Sequence, residues 1–179
     1  SFNDMAPFVL FFDPNTFFAG NPSIQPAISN AFNFGTNYKS YVLTLQYTLE
    51  DESIARFQQR YDEANDRLIY ESDNIDNTKI FSMSLGLPIK ITHWWKTQNT
   101  LIYINNKIED TTDDVTKKLE QNTFNFASTH SLTFNETTSS EINFNYNGPS
   151  IYGTLETKSN FYMNFGIQKK FGEKWGTLR

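Results

Sequence analysis

Hydrophobic and polar residues alternate with a period of two along most of the chain. The apolar residues of the clearest runs are Tyr41, Leu43, Leu45, Tyr47 and Leu49; Phe81, Met83, Leu85, Leu87 and Ile89; Ile142, Phe144 and Tyr146; and Phe161, Met163, Phe165 and Ile167. The positions between them are mainly Asn, Gln, Ser, Thr and Gly, with few charges. Because successive side chains of a strand point to opposite faces, this pattern predicts strands with one apolar and one polar face.

The predicted strands are long, and helical periodicity is scarce. Several runs sustain the alternation for about ten residues, whereas strands of soluble proteins have about 5–6. A tilted strand that crosses a bilayer needs about 9–11 residues. The segment Ser53–Asp66 could form a short helix, but its residues also suit a strand end that leads into a polar loop, and we favour the loop or strand end.

The predicted connections are of two lengths, which alternate along the chain. The short ones are Lys39-Ser40, the region of Thr92-His93, Asn135–Ser140 and Gly172–Lys174. The long polar ones are Asp13–Ala27, Asp51–Asp66, Asp110–Gln121 and Gly148–Thr157. This alternation puts all short turns at one end of the sheet and all long loops at the other. Up-and-down strands with this asymmetry are typical of transmembrane antiparallel β-barrels of bacterial outer membranes.

Aromatic residues cluster beside three of the short turns. They are Tyr38 and Tyr41, Trp94 and Trp95, and Phe171 and Trp175. Aromatic rings favour the membrane–water interface, because the ring is apolar while its polar edge can stay hydrated. The same rings could instead close the bottom of a soluble core, but their recurrence favours a membrane girdle.

Composition agrees with a barrel wall once the two faces are separated. The chain has 179 residues, a formal charge of −5, no Cys, and 16% aromatic residues, with a mean hydropathy of −0.54. A polar lumen and hydrated loops lower the average hydropathy of a barrel, so this value does not contradict a membrane location. The acidic balance argues against nucleic acid as a partner. Residues 1–20 show no signal-peptide pattern, so we expect any export signal upstream.

No constellation of residues indicates catalysis or metal binding. His93 and His130 are the only histidines, and neither has further ligands at a metal-site spacing. The acidic group Asp110, Asp113 and Asp114 lacks the spacing of a calcium loop and is expected in a solvated loop. The carboxylate pairs Asp51/Glu52 and Asp62/Glu63 have no nucleophile nearby in sequence. We therefore assign no catalytic, cofactor-binding or metal residues and expect no enzymatic activity. Asn105, Asn106, Asn143, Asn145, Asn147 and Asn164 are the candidates to line the lumen.

Four segments, in order along the chain, carry a resemblance to a known family. The segment Ala6–Ser29 contains the run GNPSIQP, and Ser29–Lys39 reads SNAFNFGTNYK. The segment Leu85–Glu109 has the tandem Trp94-Trp95, and Phe144–Leu178 has the run QKKFG near its end. Together they resemble the outer-membrane β-barrel domain of Bacteroidetes-type TonB-dependent receptors. The chain departs from that pattern at Ala27 and Asn33, where an acidic residue is usual.

The resemblance implies a particular function and set of partners. It implies part of the barrel of a TonB-dependent receptor, which transports a large nutrient or chelate across the outer membrane of a Gram-negative bacterium. The implied partners are the bilayer, a plug domain of the same full-length chain, TonB through an N-terminal region, and a surface lipoprotein. No cofactor is implied.

Residues 1–179 are expected to be a single segment of such a barrel, with about seven to eight strands near its C-terminal end. A plug domain and the final strands are not found in the sequence. Two alternatives remain open at this point. One is a soluble secreted β-sandwich that binds carbohydrate through Trp94, Trp95 and Tyr152; the other is a small standalone outer-membrane barrel or pore.

Overall fold

The structure of the protein, a computed structural model, is almost entirely β-sheet. It describes residues 2–6, 9–112, 115–153, 155–172 and 176–178. Within these residues a short helix precedes twelve strands. They are α1 (Phe2–Met5), β1 (Val9–Asp13), β2 (Thr16–Ala19), β3 (Ile28–Tyr38), β4 (Tyr41–Asp62), β5 (Arg67–Lys90), β6 (Trp95–Thr112), β7 (Val115–Asn135), β8 (Thr138–Asn147), β9 (Ser150–Tyr152), β10 (Leu155–Thr157), β11 (Asn160–Lys170) and β12 (Thr177–Leu178).

The long strands form one antiparallel up-and-down sheet. β3 pairs with β4, and the sheet continues through β5, β6, β7, β8 and β11 to β12, each strand beside the next. Seven of these strands are long, and β12 has two residues. Among the described residues, β3 and β12 pair on one side only, so the sheet is an open part of a barrel. The predicted fold class, a partial transmembrane β-barrel, is confirmed.

The register places the predicted apolar residues in continuous rows on one face. One such row crosses six strands through direct cross-strand partners: Leu43, Leu85, Leu101, Phe126, Tyr146 and Phe161. Neighbouring positions of this face are also open, with Phe34 57% and Phe165 66% exposed. An apolar surface of this extent, which no other part of the described chain covers, is suited to contact with lipid.

The opposite face is mostly polar and is the lumen wall. Its cross-strand pairs include Gln46 with Ser82, Thr44 with Ser84, and Asn143 with Asn164. The candidate lumen residues Asn106, Asn143, Asn145, Asn147 and Asn164 all lie on this face. Asn105 does not, because it pairs with Phe81 and therefore projects on the lipid side, where it contacts Glu120 and Asn122. The expectation that Asn105 lines the lumen is wrong.

Two predicted long loops are strands over most of their length. β4 continues to Asp62 and β5 begins at Arg67, so the predicted loop 51–66 is reduced to a turn of four residues. β6 continues to Thr112, and β7 begins at Val115. These parts lie beyond the membrane, where neither face needs to be apolar, so the period-two pattern disappears while backbone pairing continues. At about 3.3 Å per residue, the 24 residues of β5 extend roughly 80 Å.

Charged side chains stabilise these extensions in place of an apolar face. Arg60 pairs with Glu71 at 2.7 Å, Lys107 with Glu120 at 3.1 Å, and Lys118 with Glu109 at 2.9 Å. All three pairs join neighbouring strands. Opposite charges across an antiparallel pair favour its register.

The predicted loop Asp13–Ala27 also contains a strand. β1 and β2 form a hairpin, and β2 then pairs in parallel with β5 from Leu68 to Tyr70. β6 pairs with β5 only from Asn77 onward, so this hairpin occupies the part of the β5 edge that β6 leaves free. An exposed strand edge is thereby covered.

Aromatic rings gather at the short-turn end, as predicted. Trp94 stacks on Trp95 with ring centroids 6.1 Å apart, and on Phe134 at 6.0 Å. Tyr38, beside the turn at Lys39-Ser40, is 70% exposed. Phe171 is also exposed, and Trp175 lies outside the described residues. The rings that are described have the position of an interfacial girdle. No helix among the described residues is long and apolar enough to cross a membrane.

A continuous series of hydrogen bonds, which we call the lipid-face network, pairs polar residues on the lipid face with one another. Trp95 Nε1 donates to His130 Nδ1 (3.0 Å), which places the imidazole proton on Nε2, 3.1 Å from Ser128 Oγ. Ser128 Oγ donates to Asn99 Oδ1 (2.6 Å), and Asn99 Nδ2 donates to the carbonyl oxygen of Leu87 (3.0 Å). Each donor meets an acceptor, so these groups can face an apolar medium at low cost.

Arginine on the lipid face should prevent assembly of the barrel. We expect Leu43→Arg or Phe165→Arg in the full-length protein to cost about 2–4 kcal/mol, because a guanidinium would be placed against hydrocarbon. The measurement is the amount of heat-modifiable, folded protein in outer-membrane fractions. Thr44→Arg is the matched control, since it changes the adjacent residue on the lumen face. Equal assembly of the Leu43 and Thr44 variants would contradict the assignment of the faces.

Breaking the lipid-face network should destabilise the folded barrel. Ser128→Val removes the hydroxyl group that joins His130 to Asn99 and leaves His130 Nε2 and Asn99 Oδ1 unpaired, which should cost about 1–3 kcal/mol. The measurement is the urea midpoint of the full-length protein in detergent micelles. Ser131→Val, on the opposite face of the same strand, should change the midpoint little. An unchanged midpoint for Ser128→Val would show that the network does not stabilise the fold.

Candidate functional site

Two segments of the chain pack on the sheet at its long-hairpin end. The first is the hairpin formed by β9 and β10. Thr123 Oγ1 donates to the carbonyl oxygen of Pro149 (2.6 Å), and Asn106 Nδ2 donates to that of Ile151 (3.3 Å). Asn106 and Thr123 both lie on the lumen face, opposite to Tyr103 and Phe124. The predicted loop 148–157 is therefore a hairpin that folds inward.

A small apolar cluster fixes this inward hairpin. Ile151 packs against Ala55, Ile75 and Ile108, which are 3–4% exposed. Gly153 makes the close approach possible: its φ is +58°, and a Cβ there would lie 2.7 Å from the Cβ of Ala55. Any side chain at this position would force the hairpin away from β4.

The second segment is the N-terminal one, held by a largely buried carboxylate. Arg56 donates to Asp4 through Nε (2.8 Å) and Nη2 (3.0 Å), and Ser72 Oγ also donates to Asp4 (3.2 Å). Asp4 is 8% exposed. The Asp4 carboxylate raises the pKa of Arg56, mainly through the hydrogen bond. A carboxylate taken out of water requires such partners, so this pairing fixes α1 over the β4–β5 hairpin.

Asn74 holds the chain that connects the N-terminal hairpin to β3. Its Oδ1 accepts from the backbone N–H of Gln25 (2.7 Å), and its Nδ2 donates to the carbonyl oxygens of Gln25 (3.0 Å) and Glu52 (2.8 Å). The side-chain amide thus pairs with Gln25 as a neighbouring strand would. This contact keeps residues 24–26 against the sheet.

Between the N-terminal segment and the β4–β5 hairpin lies a cavity of about 310 Å³. Its lining is Asp4, Leu10, Phe18, Ala19, Gly20, Arg56, Phe57, Tyr70, Glu71 and Ser72. Phe18 stacks on Tyr70 at 5.3 Å between ring centroids and meets Phe57 edge to face at 6.1 Å. We call this space the aromatic pocket.

Phe57 enters the aromatic pocket from an irregular part of β4. The pairing of β4 with β5 shifts by one residue between Ala55 and Gln58, and Phe57 has a φ of +60°. A left-handed conformation is unfavourable for a bulky side chain and persists only where surrounding structure imposes it. The β-bulge redirects the Phe57 ring toward Phe18.

Acidic groups lie beside the inward hairpin on β5 and β6. Burial raises the pKa of Asp110, and the nearby Asp76 and Asp73 raise it further. Asp76 accepts a hydrogen bond from the backbone N–H of Thr111 (2.9 Å). Asp110 is therefore part of a strand, whereas the sequence predicted a solvated loop. Asp113 and Asp114 lie outside the described residues.

The other residues singled out in the sequence occupy separate positions. His93 lies in the short turn before β6, at the end of the sheet opposite to the inward hairpin. His130 belongs to the lipid-face network. Asp51 and Glu52 lie in β4, and Asp62 accepts hydrogen bonds in the turn after it. The structure does not bring these groups together. Asp4, Arg56 and Ser72, which it does bring together, are separated by 52 and 68 positions in sequence and have no local motif.

Rows of outward apolar residues, a polar lumen wall and an inward-folded hairpin at the long-hairpin end define a transmembrane β-barrel wall with a partly covered mouth. Comparison with known proteins agrees: the chain belongs to the outer membrane protein beta-barrel family, which matches residues 1–179. Its location is accordingly the bacterial outer membrane, as predicted, and a soluble sandwich is not supported.

No curated protein matches the chain. Among solved structures, the chain is similar to a ferric enterobactin receptor of Pseudomonas aeruginosa, with 11% sequence identity and a TM-score of 0.47. The match covers 88% of this chain and 26% of that receptor, so the chain spans about a quarter of the receptor's length.

A side chain at position 153 should release the inward hairpin. We expect Gly153→Val to expose residues 148–157 to protease, because the new side chain would collide with Ala55 and Gln58. The measurement is the rate of limited proteolysis at Lys158 in the folded, full-length protein. Gly35→Val is the control, since a Cβ at Gly35 meets nothing within 4 Å. Unchanged cleavage at Lys158 would contradict the packing described for this hairpin.

Proposed function

We propose that the chain is part of the barrel of a TonB-dependent receptor that takes up a large nutrient or chelate. The observation that carries the proposal is the inward folding of the β9–β10 hairpin over the lumen at the long-hairpin end. In outer-membrane barrels the long connections lie outside the cell. A hairpin that covers the lumen at that end can hold a solute and restrict its passage, which suits gated uptake better than an open pore.

The four segments that resemble Bacteroidetes-type receptors support the same proposal. In this function the residues act as scaffold and binding surface and perform no catalysis. The lipid-facing rows anchor the wall, and the lumen face contacts a plug domain of the full-length protein. Ile80, Ile102 and Ile104 form a half-buried apolar strip on that otherwise polar face, a suitable packing surface for a plug. TonB would act on the plug, and a surface lipoprotein could bind over the long hairpins.

Growth of deletion strains tests this function. We expect deletion of the gene, in its native host, to abolish growth on one or more solutes too large for porins. Deletion of TonB should abolish growth on the same solutes, because passage past a plug requires energy from the inner membrane. Growth on small sugars should be unchanged in the first strain and serves as its control. A growth defect that does not depend on TonB would contradict the proposal.

A further inference from the structure

The aromatic pocket has the size and lining of a site for one ring of a ligand. Its volume of about 310 Å³ lies at the lower end of the ~300–1,000 Å³ usual for small-molecule sites. It therefore cannot enclose a large solute, but it can hold one substituent of it. Phe18, Phe57 and Tyr70 provide ring faces and edges on its walls.

The charged groups of the pocket are largely paired with one another. Asp4 accepts from Arg56 and Ser72, and Glu71 accepts from Arg60. Asp4, Glu71 and Arg56 give the lining itself one net negative charge, which Arg60 beside the pocket balances.

Two donor groups of the lining remain available. The hydroxyl group of Tyr70 accepts from Gln59, and its own proton has no acceptor within the described part of the chain. Arg56 uses Nε and Nη2 for Asp4, while Nη1 has no hydrogen-bond partner within the described part of the chain. The Arg56 side chain is half exposed. A guanidinium nitrogen in this position can donate to an oxygen atom at the edge of a bound ring.

The groups that remain free in the pocket favour an aryl ring over a sugar ring as the ligand. A sugar carries several hydroxyl groups, each of which loses water on binding and needs a partner, whereas the pocket offers two free donors, Arg56 Nη1 and the Tyr70 hydroxyl group. An aryl ring needs few partners and stacks on aromatic side chains at centroid distances of about 4.5–7 Å. Phe57 is 51% exposed despite its unfavourable φ, and a bound ring would cover it.

We propose that the aromatic pocket binds an aryl group that carries an acceptor oxygen. The ring lies against Phe18, Phe57 and Tyr70, and the oxygen accepts a hydrogen bond from Arg56 Nη1. This inference rests on the proposed function, because it names the part of the transported solute that the wall recognises first.

Binding of a simple aryl probe to the detergent-solubilised full-length protein tests the proposal. The probe is methyl 4-hydroxybenzoate, and its binding is measured by titration calorimetry and saturation-transfer NMR. Methyl α-glucoside is the sugar used for comparison. We expect the aryl probe to bind and the glucoside not to bind. Phe18→Leu, which keeps an apolar side chain but removes the ring, should weaken binding by about tenfold.

Arg56→Lys tests the role of the free Arg56 donor separately from the fold. Lysine keeps the positive charge beside Asp4 but lacks the planar fork, so binding of methyl 4-hydroxybenzoate should weaken about threefold to tenfold. Binding of toluene, which has no oxygen, should not change. Tyr61→Ala is the control, since Tyr61 is an exposed aromatic residue on the same hairpin but outside the pocket lining.

Three results would overturn the ligand class: no binding of the aryl probe, equal binding of the glucoside, or unchanged binding by the Phe18 variant. Heat modifiability of each variant shows whether it is folded, so that a folding defect is not mistaken for lost affinity. TonB-dependent growth, measured separately, remains if only the ligand class is wrong. Aryl binding without TonB dependence would instead contradict the proposed uptake function.

Discussion

The need to pair every backbone N–H and C=O group within the bilayer determines the rest of this structure. In hydrocarbon no water is available to these groups, so a strand is stable only beside other strands. The uninterrupted ladders from β3 to β11 meet this requirement among the described strands. Once pairing is fixed, the pleat decides which side chains face lipid and which face the lumen. The few polar groups that project on the lipid side, such as Asn99 and Ser128, must then satisfy one another.

The same ladders continue where the bilayer no longer requires them. Above the apolar rows, β4 to β7 extend as paired strands whose side chains are mostly polar, with ion pairs such as Arg60–Glu71 between them. This framework presents a small apolar cluster on its lumen side to the β9–β10 hairpin. The N-terminal segment instead depends on specific polar contacts with β4 and β5, above all those of Asp4 and Asn74. The aromatic pocket lies between these polar contacts and the exposed aromatic rings.

The sequence was a good guide to the membrane part and a poor one to the part outside it. Period-two alternation located the strands through Tyr41, Phe81 and Phe161, and the aromatic pairs located their ends. It failed for residues 51–66 and 110–121, because pairing without burial leaves no hydrophobic pattern to detect. It also failed for the aromatic pocket, since Phe18, Phe57 and Tyr70 meet through a β-bulge and a parallel strand pairing that no local motif indicates.

The sequence by itself determined the fold class, the strand order and the two faces of the wall, because alternation and turn length are local properties of the chain. The tertiary structure alone decided that the β9–β10 hairpin folds inward, and that Asp4 of the N-terminal segment meets Arg56. Those arrangements depend on contacts between residues about 50 or more positions apart, such as Asp4 with Arg56 and Gln25 with Asn74. Such contacts form only after the strands have been brought into register, and so they leave no pattern in any single segment.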